Sequence, residues 1–274
     1  MSFYLKILIY GKVIEIKRRN INSGKKLMMI LIGGLVIMTQ ITGCMNKPSK
    51  KEVVDKFSDF LTMFPSKDMT FLYDKEGDRS NLDEGDLGTW VISSYKYLND
   101  EKGKRKTGVV LPFNRNTKEA KGKLFIEKDE EEKEYSVYYD KEGIHLVDEN
   151  VDESVKQELD SFKLMYEYIS LNRAYLDSLS NSEVYYNGEV PLYDITYKLK
   201  EDDENIKKIK EIYPELSIDK DNISLVLEGD GTPWNTTSEM GVIIRVSEEK
   251  LYNSLSCSLS FRRSDRFKDF IEGE

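Results

Sequence analysis

Residues Leu251–Phe261 read L-Y-N-S-L-S-C-S-L-S-F. Leu251, Asn253, Leu255, Cys257, Leu259 and Phe261 fall on one side of a period of two, and Tyr252, Ser254, Ser256, Ser258 and Ser260 on the other. Only an extended chain sorts such residues onto two faces, so the stretch predicts a half-buried strand. Cys257 shares the apolar face, where a cysteine acts as a small hydrophobe rather than a reactive thiol.

Working outward from this strand, the same β-rich texture recurs at Leu192–Leu199, Ile223–Glu228 and Gly241–Val246. It also recurs at Thr89–Leu98, Gly108–Phe113, Gly122–Glu127, Glu134–Tyr139 and Ile144–Val147. Turn residues such as Asn114-Arg115-Asn116-Thr117 and Asp140-Lys141-Glu142-Gly143 separate the runs. Asn99–Lys106 reads as a charged hairpin tip and Asn181–Gly188 as polar loop. Helical spacing appears three times. Ser49 can cap a helix whose stripe is Val53, Val54, Phe57, Phe60, Leu61 and Phe64, ended by Pro65. Asp152–Ile169 carries the stripe Val155, Leu159, Phe162, Met165, Tyr166 and Ile169, and Glu201–Tyr213 ends at Pro214. Residues 66–88 read as turn-rich, with one short helical piece. No strand–helix–strand rhythm and no Gly/Pro linker divides residues 52–274. The expectation is one α+β domain: a twisted antiparallel sheet of roughly seven to nine strands covered by three helices.

The chain has 274 residues, of which 39% are hydrophobic and 33% charged, with 17 Tyr, one His and two Cys. The apolar share suffices for a core. A single His and two Cys leave little room for zinc sites, His-based triads or a disulfide framework. The net charge of −9 argues against nucleic acid as a partner.

Residues 1–43 read as an address rather than a domain. Seven basic residues and one acidic residue stand there, and Lys25-Lys26 precede the uncharged run Leu27–Thr39. That run is too short to span a bilayer and suits the apolar region of a secretory signal. Ile41-Thr42-Gly43-Cys44 follows, and it resembles a bacterial lipobox. The resemblance implies a diacylglyceryl group on the Cys44 thiol and cleavage before it, leaving residues 44–51 as a lipidated, polar tether. Two acyl chains make a stable anchor. Loss of residues 1–43 moves the net charge from −9 to about −15. So acidic a domain is repelled by anionic headgroups and stands off the membrane.

Little chemistry is legible in the rest. His145 lies between Ile144 and Leu146, toward the solvent side of a strand, with no Gly-x-Ser-x-Gly elbow in the chain. The cluster Asp74, Glu76, Asp78, Asp83 and Asp86 misses the calcium-loop spacing, because Gly falls at position 4 and at position 12. Gly229-Asp230-Gly231 lacks the Lys-Ser/Thr of a phosphate loop and reads as a turn. No metal or cofactor is expected, and no enzyme activity. Trp90 reads as core. Trp234, after Pro233, is a candidate partner contact. So is the basic run Lys102, Lys104, Arg105 and Lys106, whose alternative is a solvated hairpin.

The chain resembles the staphylococcal tandem lipoproteins. The stretches that carry the resemblance are M-F-P-S-K-D-M-T-F-L-Y-D-K-E-G (63–77), G-D-L-G-T-W (85–90), N-R-N-T-K-E-A-K-G (114–122), L-D-S-F-K-L-M-Y-E-Y (159–168), N-G-E-V-P-L-Y-D-I-T-Y-K-L (187–199) and L-V-L-E-G-D-G (225–231). After Gly231 the chain reads T-P-W-N-T-T, where the family carries a Lys-Gly-Ser-Ser-like turn. The resemblance implies a membrane-anchored surface lipoprotein of a Gram-positive bacterium, linked with host-cell interaction and entry, whose lipid is sensed by Toll-like receptors. The leading expectation is therefore binding to a host-cell protein. The alternative is capture of a small molecule or lipid in a deep apolar concavity lined by the sheet, which a filled core counts against.

Overall fold

A computed structural model describes residues 4–9, 12–17, 48–100, 103–129, 131–190, 192–231, 239–246 and 253–267. Two compact units divide the chain, residues 1–46 and 47–274. In the first, β1 (Tyr4–Ile9) and β2 (Lys12–Lys17) pair antiparallel, with Ile7 opposite Ile14. The sequence reading assigns no strand there, although the run is rich in the Ile, Leu and Val that favour extended chain.

The second unit is α+β. Its sheet holds ten antiparallel strands, more than the seven to nine expected. They are β3 (Thr89–Asp100), β4 (Gly103–Asn114), β5 (Glu119–Lys128), β6 (Glu131–Asp140), β7 (Gly143–Leu146), β8 (Ser182–Asn187), β9 (Leu192–Lys198), β10 (Ser224–Asp230), β11 (Glu239–Arg245) and β12 (Ser254–Arg262). The spatial order is β7-β6-β5-β4-β3-β12-β11-β10-β9-β8. Two five-strand meanders thus meet where the last strand pairs with the first, Cys257 opposite Ser94. The additional strand is β8, in the stretch read as loop. It is an edge strand whose Glu183 and Tyr185 are exposed and whose Val184 and Tyr186 are only half-buried against the core, so its alternation is weak. The Asn99–Lys106 tip contracts as well: pairing continues to Asp100 and Gly103, so Lys104, Arg105 and Lys106 belong to β4.

Among the described residues six short helical segments replace the three expected helices: α1 (Lys50–Lys56), α2 (Ser58–Leu61), α3 (Glu153–Ser161), α4 (Met165–Tyr168), α5 (Arg173–Ser178) and α6 (Glu204–Ile212). Single turns of 3-10 helix add Thr70–Tyr73 and Ser264–Phe267. Ser49 does cap α1, in a reciprocal capping box with Glu52. The expected helix over 152–169 breaks at Phe162 and Leu164, both extended. The break lets the Tyr213 hydroxyl accept from Lys163 N at 3.0 Å and donate to Lys163 O at 3.2 Å. Every residue of the predicted stripe is buried nonetheless, because the apolar spacing records burial and not helix continuity.

The helices reach the sheet on one face. Phe57 packs its ring 5.7 Å from Tyr193, Met165 N donates to Ser94 Oγ, and Tyr166 OH donates to Ser258 O at 2.7 Å. Met69 N donates to Tyr139 OH, and Lys96 pairs with Glu158 and Glu215. On that face Ile92, Leu111, Leu124, Ile195, Leu227, Val242 and Leu255 are sealed in the core. Burying one such side chain is worth roughly 1.5–3 kcal/mol. Cys257 lies among them as expected, and burial pushes its thiol well up.

Candidate interaction face

Strand alternation sends the other half of each strand to the opposite face, where the 3-10 turn Ser264–Phe267 touches the strand end, Thr89 Oγ1 donating to Ser264 Oγ at 3.0 Å. On this face β12 carries the half-buried Ser256 and Ser258 between the buried Ser254 and Ser260, next to Tyr97, Tyr95, Ser93 and Val91 of β3 on one side and Arg245, Ile243, Gly241 and Glu239 of β11 on the other. The hydroxyls form a relay: Ser258 Oγ donates to Glu239 Oε1 at 2.9 Å. Its one proton being used, Ser93 Oγ is the donor in the 2.8 Å contact to Ser258 Oγ. Arg262 closes on Glu239 at 3.5 Å.

Tyr95 lies across Gly108, where an added Cβ would stand 1.9 Å from the ring, and Lys106 Nζ sits 4.9 Å from its centroid. Burial raises the Tyr95 hydroxyl pKa. Toward the β8 edge, Asp194 and Glu228 are direct register partners. Burial raises both carboxyl pKa values, and Arg245 draws them back. Glu228 folds over Gly241, and the Arg245 Nε is buried without a hydrogen bond among the described residues. Beyond Tyr95 the face turns basic, with Lys104 and Lys106 on β4 and Lys121 and Lys123 on β5.

The sequence candidates distribute as follows. Lys104 is on this face, but Arg105 is its neighbour in β4 and points to the other side, so the two do not share one patch. The basic run is also partly neutralised, since Lys106 stands 3.9 Å from Glu132 on β6. Lys102, Trp234 and the lipobox Ile41, Thr42, Gly43 and Cys44 lie outside the described residues. His145 is on the interaction face at the far edge, stacked on Tyr138 at 4.9 Å and 2.8 Å from Asp140. Trp90 is core, and its Nε1 donates to Lys75 O. The acids of the 74–86 cluster are spent on protein groups: Glu76 on Arg115, Asp74 on Lys118, Asp83 on Arg263, and Asp86 on Ser264 and Asn116. Among the described residues no group of carboxylate, His or Cys side chains is placed to hold a metal ion. Sequence reasoning missed the Asp194–Glu228 pair and the Tyr95–Gly108 contact. The serine alternation in 254–260 was the one local signal of this face.

The pattern of the Csa1 family matches residues 49–263. The chain is 34% identical over 220 residues to an uncharacterized lipoprotein of Staphylococcus aureus strain N315, covering 74% of this chain and 82% of the relative. It is 35% identical over 224 residues to one of Staphylococcus epidermidis, covering 75% and 83%. A second lipoprotein of the same S. aureus strain is 32% identical over 198 residues, covering 68% and 72%. A solved N-terminal dehydratase from the difficidin assembly line overlaps at a TM-score of 0.17 with 9% identity, covering 74% of this chain and 87% of that one, too slight a likeness to carry over fold or chemistry.

Proposed function

The chain belongs to the Csa1 family, with staphylococcal lipoproteins as its relatives, and from that premise we propose that it acts by binding a protein on host cells. In this reading a lipid on Cys44 holds it at the outer face of the membrane, and it catalyses no reaction. The observation that supports this is the face of the ten-stranded sheet that, among the described residues, the α-helices do not pack on. Tyrosine and serine are the residues that binding surfaces favour, because tyrosine adds large contact area at low entropic cost and serine adds adaptable hydrogen bonds. Tyr95, Tyr97, Tyr185 and the half-buried Ser256 and Ser258 supply both on a rigid backbone. Over the middle of the opposite face the core beneath the helices is filled with fully buried side chains, which counts against a deep concavity at that place.

The test is binding of soluble residues 49–274, without lipid, to cultured human epithelial cells. Saturable binding competed by unlabelled protein is expected, and it weakens at least tenfold in Tyr185→Asp/Ser256→Arg at unchanged melting temperature. Binding no greater than that of an unrelated acidic protein overturns the reading.

A further inference from the structure

The helix-bearing side of the sheet opens at one corner. Between α2, the 74–88 loop and the ends of β3, β11 and β12 lies a cavity of about 700 Å³, a size that holds a small ligand. Its floor is apolar and aromatic. The rings of Trp90 and Phe261 lie 4.7 Å apart at 51°, with Met240 and Leu259 beside them. The floor is held in place: Trp90 Nε1 donates to Lys75 O at 2.9 Å. Gly77 and Gly88 press on the Phe261 ring so closely that a Cβ at either would lie within 2.5 Å of it.

The rim carries Lys75, Arg262, Arg263 and Arg266 against Asp59, Glu76 and Asp78. These charges are not equally available. Glu76 is held by Arg115, Arg263 by Asp83 and Asp265, and Arg262 stands 3.5 Å from Glu239. Arg266 is exposed and makes no side-chain ion pair among the described residues. Lys75 Nζ stands 5.8 Å over the Trp90 ring, also without an ion pair there. Two uncommitted cations therefore stand beside an aromatic floor, on a chain that is acidic as a whole.

We propose that this cavity binds an amphipathic carboxylate, its apolar body on Trp90, Phe261 and Met240 and its carboxylate at Arg266 and Lys75. The apolar part gains from leaving water. The carboxylate gains charge-assisted hydrogen bonds, and an arginine can supply two at once. Neither the anchor nor the sheet face enters this proposal, so it stands or falls apart from host-cell binding.

The chain has two tryptophans, so Trp234→Phe leaves Trp90 as the only indole reporter. In that background decanoate, kept below its micelle concentration, is titrated while Trp90 emission is followed, with calorimetry for the stoichiometry. Decanol serves as the uncharged probe. The expected result is a saturable change at one molecule per chain, at least tenfold weaker for decanol and at least tenfold weaker for decanoate in Lys75→Glu/Arg266→Glu. Both substituted residues lie on the rim, and an unchanged melting temperature shows that the fold is kept. No saturable change, or equal affinity for decanoate and decanol, overturns the proposal.

Discussion

Arg115, only 5% exposed, grips the exposed Glu76 through both terminal guanidinium nitrogens, at 2.7 and 3.3 Å. The same side chain donates to Leu87 O at 2.7 Å and to Tyr73 O at 3.3 Å. Its neighbour Asn116 accepts from Leu87 N and donates to Asp86. Three of the stretches that carry the family resemblance, 63–77, 85–90 and 114–122, therefore meet at one corner of the sheet. Arg115→Ala leaves two inward carbonyls without their donor, at a cost of about 2–4 kcal/mol. The expected fall in melting temperature is roughly 2–4 °C per kcal/mol. Thermal unfolding checks it, and Arg115→Lys restores little, because one ammonium cannot reproduce the fork.

Gly88 combines a φ of +80° with ring contact: an added Cβ would stand 2.3 Å from Phe261 Cζ. Gly88→Ala adds left-handed strain of order 1–3 kcal/mol to displacement of the ring. It is expected to be at least as destabilising as Gly77→Ala, which meets the same ring without a positive φ. Chemical denaturation of the two variants side by side decides this.

Asp86 accepts from Ser264 N, Asn116 Nδ2, Gly88 N and Ser264 Oγ. Partial burial raises its pKa, but these hydrogen bonds outweigh it and hold the carboxyl at about 2, from an ordinary 3.8. A depressed folded-state pKa gives stability that is present above the unfolded value and lost as pH falls from about 4 to about 2. Asp86→Asn is expected to lower stability by about 1 kcal/mol at pH 7, after allowance for solvent screening, and by only a small part of that near pH 2, where the carboxyl is half protonated. Urea unfolding at the two pH values measures the difference.

Glu228 behaves in the opposite sense. Burial, opposed by Arg245 and reinforced by Asp194 and Glu239, raises its pKa above 4.5. The associated stability is present below the unfolded value and is lost as pH rises through the folded one. Glu228→Gln removes the charged form and is expected to raise the melting temperature by about 2 °C at pH 7. Near pH 4 the gain disappears. A gain equal at both pH values would mean that something other than charge burial is responsible.

On the proposed anchoring, Cys44→Ala removes the point of lipid attachment. The variant is expected to leave the detergent phase on phase partition and to appear in the aqueous fraction. Unchanged partition refutes an anchor at Cys44.

The local features of this protein were legible from its residues alone. The period of two in 251–261 places Cys257 in the core and the serines outside it, because alternation is a property of the extended chain itself. The Ser49–Glu52 cap and the burial of Val155, Leu159 and Phe162 follow from spacing within one or two turns. Other features depend on which distant strands pair. The β3–β12 seam that joins the meanders sets Ser93 against Ser258, 165 positions along the chain. The β9–β10 register brings Asp194 and Glu228 together, and the edge position of β8 made a strand resemble a loop. Spacing encodes which side of an element faces water. Which element lies beside it is decided by burial summed over the whole sheet, and no short stretch of residues carries that sum.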